Sequence, residues 1–307
     1  MPELSVVIPT YNRLDTLRVV VPALLDGDMR ADRFEILVAD SNSTDGTAEF
    51  LAKLSAQHPN LRHLPGPYTG RAMARNAGID AAAGEIVLFT DSDIIAEPDL
   101  LTQHLARHRA QHGIAVVGME VQVDTLTEYE AKHAHPDLRH PLHPASRKHL
   151  SWLYFLTGNA SVRRDDLLRV GKFDESFTGY GHEDLELGYR LEHAGIRIVY
   201  EPRAVNYHWQ HVPFSEQKEK MKLAGRSTVR FFRKHPDPMV KLRLGMTPPS
   251  LGAHKLLTGS GLLDHLEREA TEHAGFARNI VYQYHYVSGI KEMLAGGSDA
   301  ILAGADA

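Results

Sequence analysis

Short apolar runs alternate with helical patterns along the first part of the chain, and this alternation is what most narrows the fold. Residues 4–9, 34–40, 60–64, 85–90 and 114–123 have the length and content of strands. Residues 14–25, 47–56, 71–82 and 98–112 space their apolar side chains as helices do. Strand, helix and strand in series make βαβ units, so the expected fold class is α/β, a mostly parallel mixed sheet of Rossmann-like type flanked by helices. The punctuation agrees, with Asn12 and Ser43 near helix starts and Gly84 and Gly113 just past helix ends. Right-handed crossovers gather the carboxyl ends of the strands on one rim, outside which ligands bind. Pro9, Thr10 and Tyr11, then Asp40, then Thr90-Asp91-Ser92-Asp93 fall on that rim.

From 124 to 149 the sequence turns polar and rich in His and Pro, which predicts a mobile surface loop that closes over bound ligand. Structure resumes with a strand at 158–162, helices at 165–170 and 183–194, and a strand at 196–200; beyond Pro213 the pattern is helical. The expected division is therefore an α/β domain over 1–212 and a helical extension over 213–307. At 307 residues the chain can bury a substantial core without staples. It has no Cys, which removes disulfides, thiol catalysis and Cys-ligated zinc and fits a reducing cytoplasm. With 34 basic and 39 acidic residues the net charge is −5, which gives no global attraction for nucleic acid. The N-terminus lacks the pattern of a secretory signal and no apolar run spans a bilayer, so a cytoplasmic location is expected, with contact to a membrane surface left open.

The chemistry concentrates in two acidic clusters. Asp91 and Asp93 follow the apolar run 85–89 directly. Two carboxylates at a strand's end can hold Mg²⁺ or Mn²⁺ against a diphosphate. In isolation Asp-x-Asp is more often a turn or a cap, and its place after a buried strand reverses that ranking. The second cluster is Glu183-Asp184 with Glu186, opening a helix after Gly179 and Gly181. An acidic first turn is common, but a carboxylate there can also take the proton of an incoming nucleophile.

With these residues in place the chain resembles the family 2 glycosyltransferases of GT-A fold. Residues 5–13 resemble that family's opening strand and nucleotide loop, 35–47 its second motif, and Gly70-Arg71 with 74–78 its third. Asp91-Ser92-Asp93 is similar to its metal motif. Gly158-Asn159, with Arg163 and 173–175, is similar to its acceptor segment, and Glu183-Asp184 to its catalytic acids. Six motifs in order over residues 4–210 are far more specific than any one of them. The resemblance implies an inverting transfer of a sugar from a nucleotide-diphosphate donor, with uridine expected, to a hydroxyl of a saccharide or glycoconjugate. It implies that Pro9, Thr10, Tyr11, Arg13, Asp40 and Arg71 hold the nucleotide. Asp91 touches the ribose or a metal-bound water, Asp93 ligates Mn²⁺ or Mg²⁺, and His208 completes the metal site in competition with His211. Asp184 is the implied base, with Glu183 holding the acceptor beside Gly158, Asn159 and Trp152, the last equally readable as a core aromatic. One departure from the pattern is Ser41 after Asp40, where many relatives carry a second acid.

Three rival readings are weaker. A haloacid-dehalogenase phosphatase also places Asp-x-Asp after a strand, but expects Thr where this chain has Ile95. A dinucleotide fold needs a glycine-rich turn where Pro9-Thr10-Tyr11-Asn12 stands. A non-catalytic sugar-nucleotide or carbohydrate-binding module needs no base, yet both Asp93 and Asp184 are retained. The basic and apolar stretch 218–234 reads as an amphipathic helix packed on its neighbours, with a lipid-linked or anionic acceptor contact as the lesser reading.

Overall fold

The computed structural model describes residues 1–140, 149–259, 261–273 and 275–296. They group into two units, residues 1–175 with 183–211, and residues 176–182 with 212 onward.

The first unit is built on a sheet. β1 (Leu4–Thr10), α1 (Leu14–Leu25), β2 (Phe34–Asp40), α2 (Thr47–Ser55), β3 (Leu61–Pro65), α3 (Arg71–Ala81) and β4 (Ile86–Phe89) follow the expected alternation. Every residue of β1 and β2 is buried, as strands covered on both faces require. Next come β5 (Ile94–Ala96), α4 (Leu100–Ala110), β6 (Ile114–Val123), α5 (Leu126–Ala134), β7 (His149–Leu150), β8 (Ala160–Arg163), α6 (Arg164–Val170), α7 (Glu183–His193) and β9 (Arg197–Trp209). The sheet order is β3-β2-β1-β4-β8-β6-β9-β5, with β7 on β9 as well. β1 to β4 pair in parallel, β8 runs against both β4 and β6, and β9 is parallel to β6. The sheet is thus parallel on one side and mixed on the other.

Two expectations are corrected. The strand at 196–200 continues to Trp209, because its later residues pair with β5 as well as β6. The stretch after 124 is also not irregular. Thr125 caps α5 by accepting from the Glu128 N–H at 3.1 Å, while Glu128 accepts from the Asp124 N–H at 2.8 Å. This is a variant of the capping box, its Glu reaching back one residue beyond the cap, and its signal is present in the sequence as Thr-x-x-Glu. Arg139 then anchors the end of the segment on Glu97 at 2.7 Å. The rest of the expected loop, residues 141–148, lies outside the described residues.

The second unit is helical, with α8 (Phe214–Lys234), α9 (Pro238–Arg243), α10 (Pro248–Gly259), α11 (Leu262–Glu272) and α12 (Phe276–Leu294). Val229, Met246, Ile290 and Met293 form a core between α8 and α12. The segment 176–182 joins it through Ser227 Oγ, which donates to the Tyr180 carbonyl at 3.0 Å, and through His182 Nε2 against Thr228 Oγ1 at 2.6 Å.

Helices α8 and α12 cross backbone to backbone. A Cβ on Gly225 would stand 1.9 Å from the Tyr286 carbonyl oxygen, and one on Gly289 would stand 2.0 Å from that of Lys222. Ala favours a helix over Gly by about 1 kcal/mol, but a backbone obstacle cannot rotate away as a side chain can. Gly225→Ala should therefore destabilise the helical unit by about 1–3 kcal/mol. Urea denaturation of the full chain followed by circular dichroism checks this, and a stabilised variant would show that the helices do not touch at Gly225.

Candidate functional site

Three strand ends make the first part of the rim. Thr10 lies opposite Asp40 across β1 and β2, and Val7 opposite Phe89 across β1 and β4. Pro9 is buried within β1. Thr10 is buried beside it, and its hydroxyl has no hydrogen-bond partner among the described residues. Tyr11 and Arg13 are exposed. Between them Asn12 adopts a left-handed turn and locks two loops together. Its N–H donates to Ser43 Oγ and its Oδ1 accepts from the Thr44 N–H, both at 2.8 Å. Asp40 is only 1% exposed, and both of its oxygens are engaged within the chain. Oδ1 accepts from the Ser43 hydroxyl and N–H at 2.5 and 3.1 Å, and Oδ2 faces His63 Nε2 at 3.1 Å.

The centre of the site is Arg75, to which the sequence reading assigned no role. This fully buried guanidinium donates to Asp91 Oδ1 at 2.7 Å and to Glu183 Oε1 at 3.1 Å. It also packs over the Phe173 ring at 5.6 Å. The N-terminal half of the chain, which supplies α3 and the β4 end, is thereby tied to the start of α7, 108 residues further on. Burial pushes the Asp91 carboxyl up, but the Arg75 and Arg71 charges outweigh it and hold the group below the usual carboxylate range. Arg71 is half-exposed and reaches Glu183 Oε1 only at 4.0 Å.

Glu183 does not meet the expectation of an acceptor contact. It is 4% exposed and turned inward onto Arg75. Its neighbour Asp184 is half-buried, with its Oδ1 accepting from the Leu185 N–H at 2.8 Å. Burial and the adjacent Glu183 charge raise the Asp184 carboxyl, Arg75 lowers it, and the balance leaves it pushed up to about 7. The pair therefore divides its work, with one acid locked in an ion pair and one able to gain or lose a proton near neutrality.

A second cluster follows from the β5–β9 pairing. Ile94 lies opposite His208, and the Trp209 N–H donates to the Asp93 carbonyl at 2.8 Å, so the imidazole is brought to the acid. His208 Nε2 is 3.6 Å from Asp93 Oδ1, and its Nδ1 is 3.4 Å from Glu120 Oε1 and 3.0 Å from Gln122 Nε2. Burial opposes the imidazolium, but the hydrogen bonds to Asp93 and Glu120 outweigh it and push His208 up to about 10. His211 lies past the strand and is exposed, 3.7 Å from Asp124. Among the described residues no group of three or more His, Asp or Glu side chains is arranged to hold one ion. Asp93 and His208 nonetheless fit Mn²⁺ or Mg²⁺, whose binding would displace the proton from His208 Nε2. Such a cation is commonly bound through one or two protein donors and completes its shell with phosphate oxygens and water.

The three proposed acceptor residues are placed differently. Asn159 is 2% exposed, and its amide holds the Met119 and Ala204 carbonyls and faces His104 Nε2 at 2.8 Å. Its polar atoms are used inside the core, so it offers none to an acceptor. Trp152 is buried edge-on against Tyr189, which makes it a core aromatic. Gly158 serves by having no side chain, since a Cβ there would stand 2.2 Å from Glu120 Oε2. Besides Arg75, the residues missed by the sequence reading are His63 on β3 and Glu120 and Gln122 on β6, strand positions with no motif of their own.

A sequence model described as "Glycosyl transferase family 2" matches residues 5–171, and one described as "N-terminal domain of galactosyltransferase" matches residues 140–212. The validoxylamine A glucosyltransferase of Streptomyces hygroscopicus subsp. jinggangensis is 30% identical over 279 residues, which cover 80% of this chain and 64% of that protein. The uncharacterized glycosyltransferase YfnE of Bacillus subtilis is 27% identical over 254 residues, covering 67% of this chain and 64% of that one. The chain thus spans less than two thirds of the length of these relatives. Among solved structures, mannosyltransferase PcManGT from Pyrobaculum calidifontis, in complex with GDP-Man and Mn²⁺, superposes with a TM-score of 0.68 at 20% identity, covering 97% of this chain and 88% of that one. S. aureus TarS 1-349 in complex with UDP gives 0.59 at 18%, covering 97% and 92%. At these identities the likeness is one of fold.

The Asn159 network has a measurable consequence. His104 Nδ1 and His108 Nε2 share Ser161 Oγ at 2.8 and 2.9 Å, and both rings are buried. Burial pulls His104 down to about 4 and His108 to about 3, the latter helped by the His104 charge. The unfolded chain takes up both protons as pH falls through about 6.5, while the folded chain stays neutral there. The contribution of this pair to stability should therefore drop by a few kcal/mol as pH falls from about 7.5 to about 5, against the opposite contributions of Asp184 and His208, which the folded chain protonates more readily than the unfolded one. A His104→Gln/His108→Gln variant should lose less over the same window. Urea midpoints at the two pH values test this, and parallel losses in the two proteins would remove the histidines as the cause.

Proposed function

Because the chain belongs to glycosyl transferase family 2, we propose that it transfers a sugar from a nucleoside diphosphate to a hydroxyl of a saccharide or glycoconjugate, with inversion at the anomeric carbon. The observation that carries this reading is the Arg75 bridge. It joins the Asp91-Ser92-Asp93 strand end, suited to a diphosphate, to the Glu183-Asp184 pair, suited to a hydroxyl.

Thr10, Tyr11 and Arg13 receive the nucleoside at the rim, with Asp40 held rigid beneath them by Ser43 and His63. Arg71 turns its half-exposed charge toward the diphosphate. Asp93 and His208 hold a divalent cation, which when bound neutralises the charge that grows on the leaving diphosphate. Asp184 takes the proton of the acceptor hydroxyl as the oxygen attacks the anomeric carbon, whose bond to phosphate breaks on the opposite face. The nucleoside diphosphate leaves with the bonding pair, and the proton remains on Asp184. A carboxyl that titrates near 7 suits this role, since it is partly ionised at neutral pH yet basic enough to accept. Uridine and guanosine are the candidate donor bases, since similar solved structures hold UDP and GDP-Man.

Release of nucleoside diphosphate across a panel of UDP- and GDP-sugars, with Mn²⁺ and then with chelator, tests the reading. Asp184→Asn should lower kcat by roughly two to four orders of magnitude with donor affinity little changed. In the wild type kcat should rise with pH through about 7, because the ionised carboxylate is the active form. Near-normal turnover of Asp184→Asn, or a product of retained configuration by NMR, would place the base elsewhere. Asp93→Ala should abolish the metal dependence of nucleotide binding in calorimetry. Unchanged metal dependence would move the cation off this strand end.

A further inference from the structure

The helical unit carries an apolar groove of about 420 Å³ that the chemistry above does not use. It runs from Gly245, past Ala253 and Leu257 of α10, to Phe276, Ile280 and Val287 of α12. Phe276 lines the groove, and α9 and α10 beside it expose further large apolar side chains. Phe276 is 81% exposed, Leu256, one turn along from Ala253, is 76% exposed, and Leu242 on α9 is 59% exposed. Large apolar side chains crowded into one exposed region mark an interaction site.

Helices α9 and α10 carry charges of one sign only, the nearest acids being Asp237 before α9 and Asp264 on α11. Residues 238–263 contain no Asp or Glu, while Lys241, Arg243 and Lys255 are exposed. Arg243 and Lys255 have no ion pair among the described residues. The cations of α8 are different: Lys218 pairs with Glu267, Lys220 with Glu216, and Lys222 and Arg226 with Glu292. Four cations of the basic stretch 218–234 are thus neutralised within their own unit, whereas Arg243 on α9 and Lys255 on α10 are not.

We propose that α9, α10 and the start of α12 form a docking surface for an anionic phospholipid bilayer. Phe276, Leu256 and Leu242 enter the boundary between headgroups and acyl chains, and Lys241, Arg243 and Lys255 meet the lipid phosphates. A second copy of the chain fits the same face poorly. A two-fold contact sets a surface against itself and would bring like charges together.

The test uses the full chain with vesicles of phosphatidylglycerol and phosphatidylcholine, and of phosphatidylcholine alone. Co-sedimentation should occur with the anionic vesicles and weaken as salt is raised. Leu256→Asp/Phe276→Asp should abolish it. Lys241→Ala/Arg243→Ala/Lys255→Ala should weaken it by roughly a hundredfold, from about fivefold for each cation at a membrane surface. All altered side chains are exposed, so melting temperature should be unchanged, and nucleoside diphosphate release measured without vesicles should match the wild type. Failure of the wild type to bind anionic vesicles at low salt, or salt-insensitive binding to both vesicle types, would overturn the proposal. So would sedimentation velocity showing a wild-type dimer that Leu256→Asp/Phe276→Asp converts to a monomer.

Discussion

The buried Arg75 is the interaction on which the site depends. Removing a guanidinium from water costs several kcal/mol even after relaxation, and only well-placed opposite charges offset it. Asp91 and Glu183 supply them at 2.7 and 3.1 Å. They come from elements far apart in sequence, so the first unit must fold as a whole before the charge is compensated. The bridge also leaves the local charge unbalanced. One cation faces two acids that contact it directly, and Asp184 stands beside them as a third. Asp184 is the acid the guanidinium does not bond, so burial first and the neighbouring Glu183 charge second push that group up to about 7.

A second constraint is close backbone approach. His208 can reach Asp93 only because β9 extends far enough to pair with β5, and Glu120 can reach His208 only because residue 158 has no side chain. The same crowding explains Asn159. At a junction where β6, β8 and β9 meet, the Met119 and Ala204 carbonyls would lack partners, and the Asn159 amide satisfies both. Gly158-Asn159 therefore acts by building the wall of the site.

The parallel half of the sheet was legible in the sequence because its strands are apolar on both faces and its helices have clear periods. The bounds read for α1, β2 and β6 match the structure. β5 and β7 were missed because strands of three and two residues are defined by their partner on β9, with no period of their own. α5 was missed although its capping box was in plain view, because the His and Pro content that follows masked it. At the site, carboxylates after strands and at a helix start could be read from position. Which way each points could not, since Glu183 and Asp184 are neighbours and only the fold turns one onto Arg75 and leaves the other half-exposed. Arg75 itself was hidden because a charged residue in a helix reads as surface until its partners are known.

Two acids in one network are shifted in opposite directions, and that separation orders the chemistry. Asp91 is held below the usual carboxylate range by Arg75 and Arg71, while Asp184 is raised by burial and by Glu183. Groups whose environments drive their protonation apart can take different roles at one pH. Asp91 stays ionised across the range in which Asp184 titrates, so the strand end keeps its charge for the donor while the base gains or loses its proton. Arg75 lowers both acids, but it bonds Asp91 and acts on Asp184 only at a distance, and this difference in geometry separates a group that holds charge from a group that moves a proton.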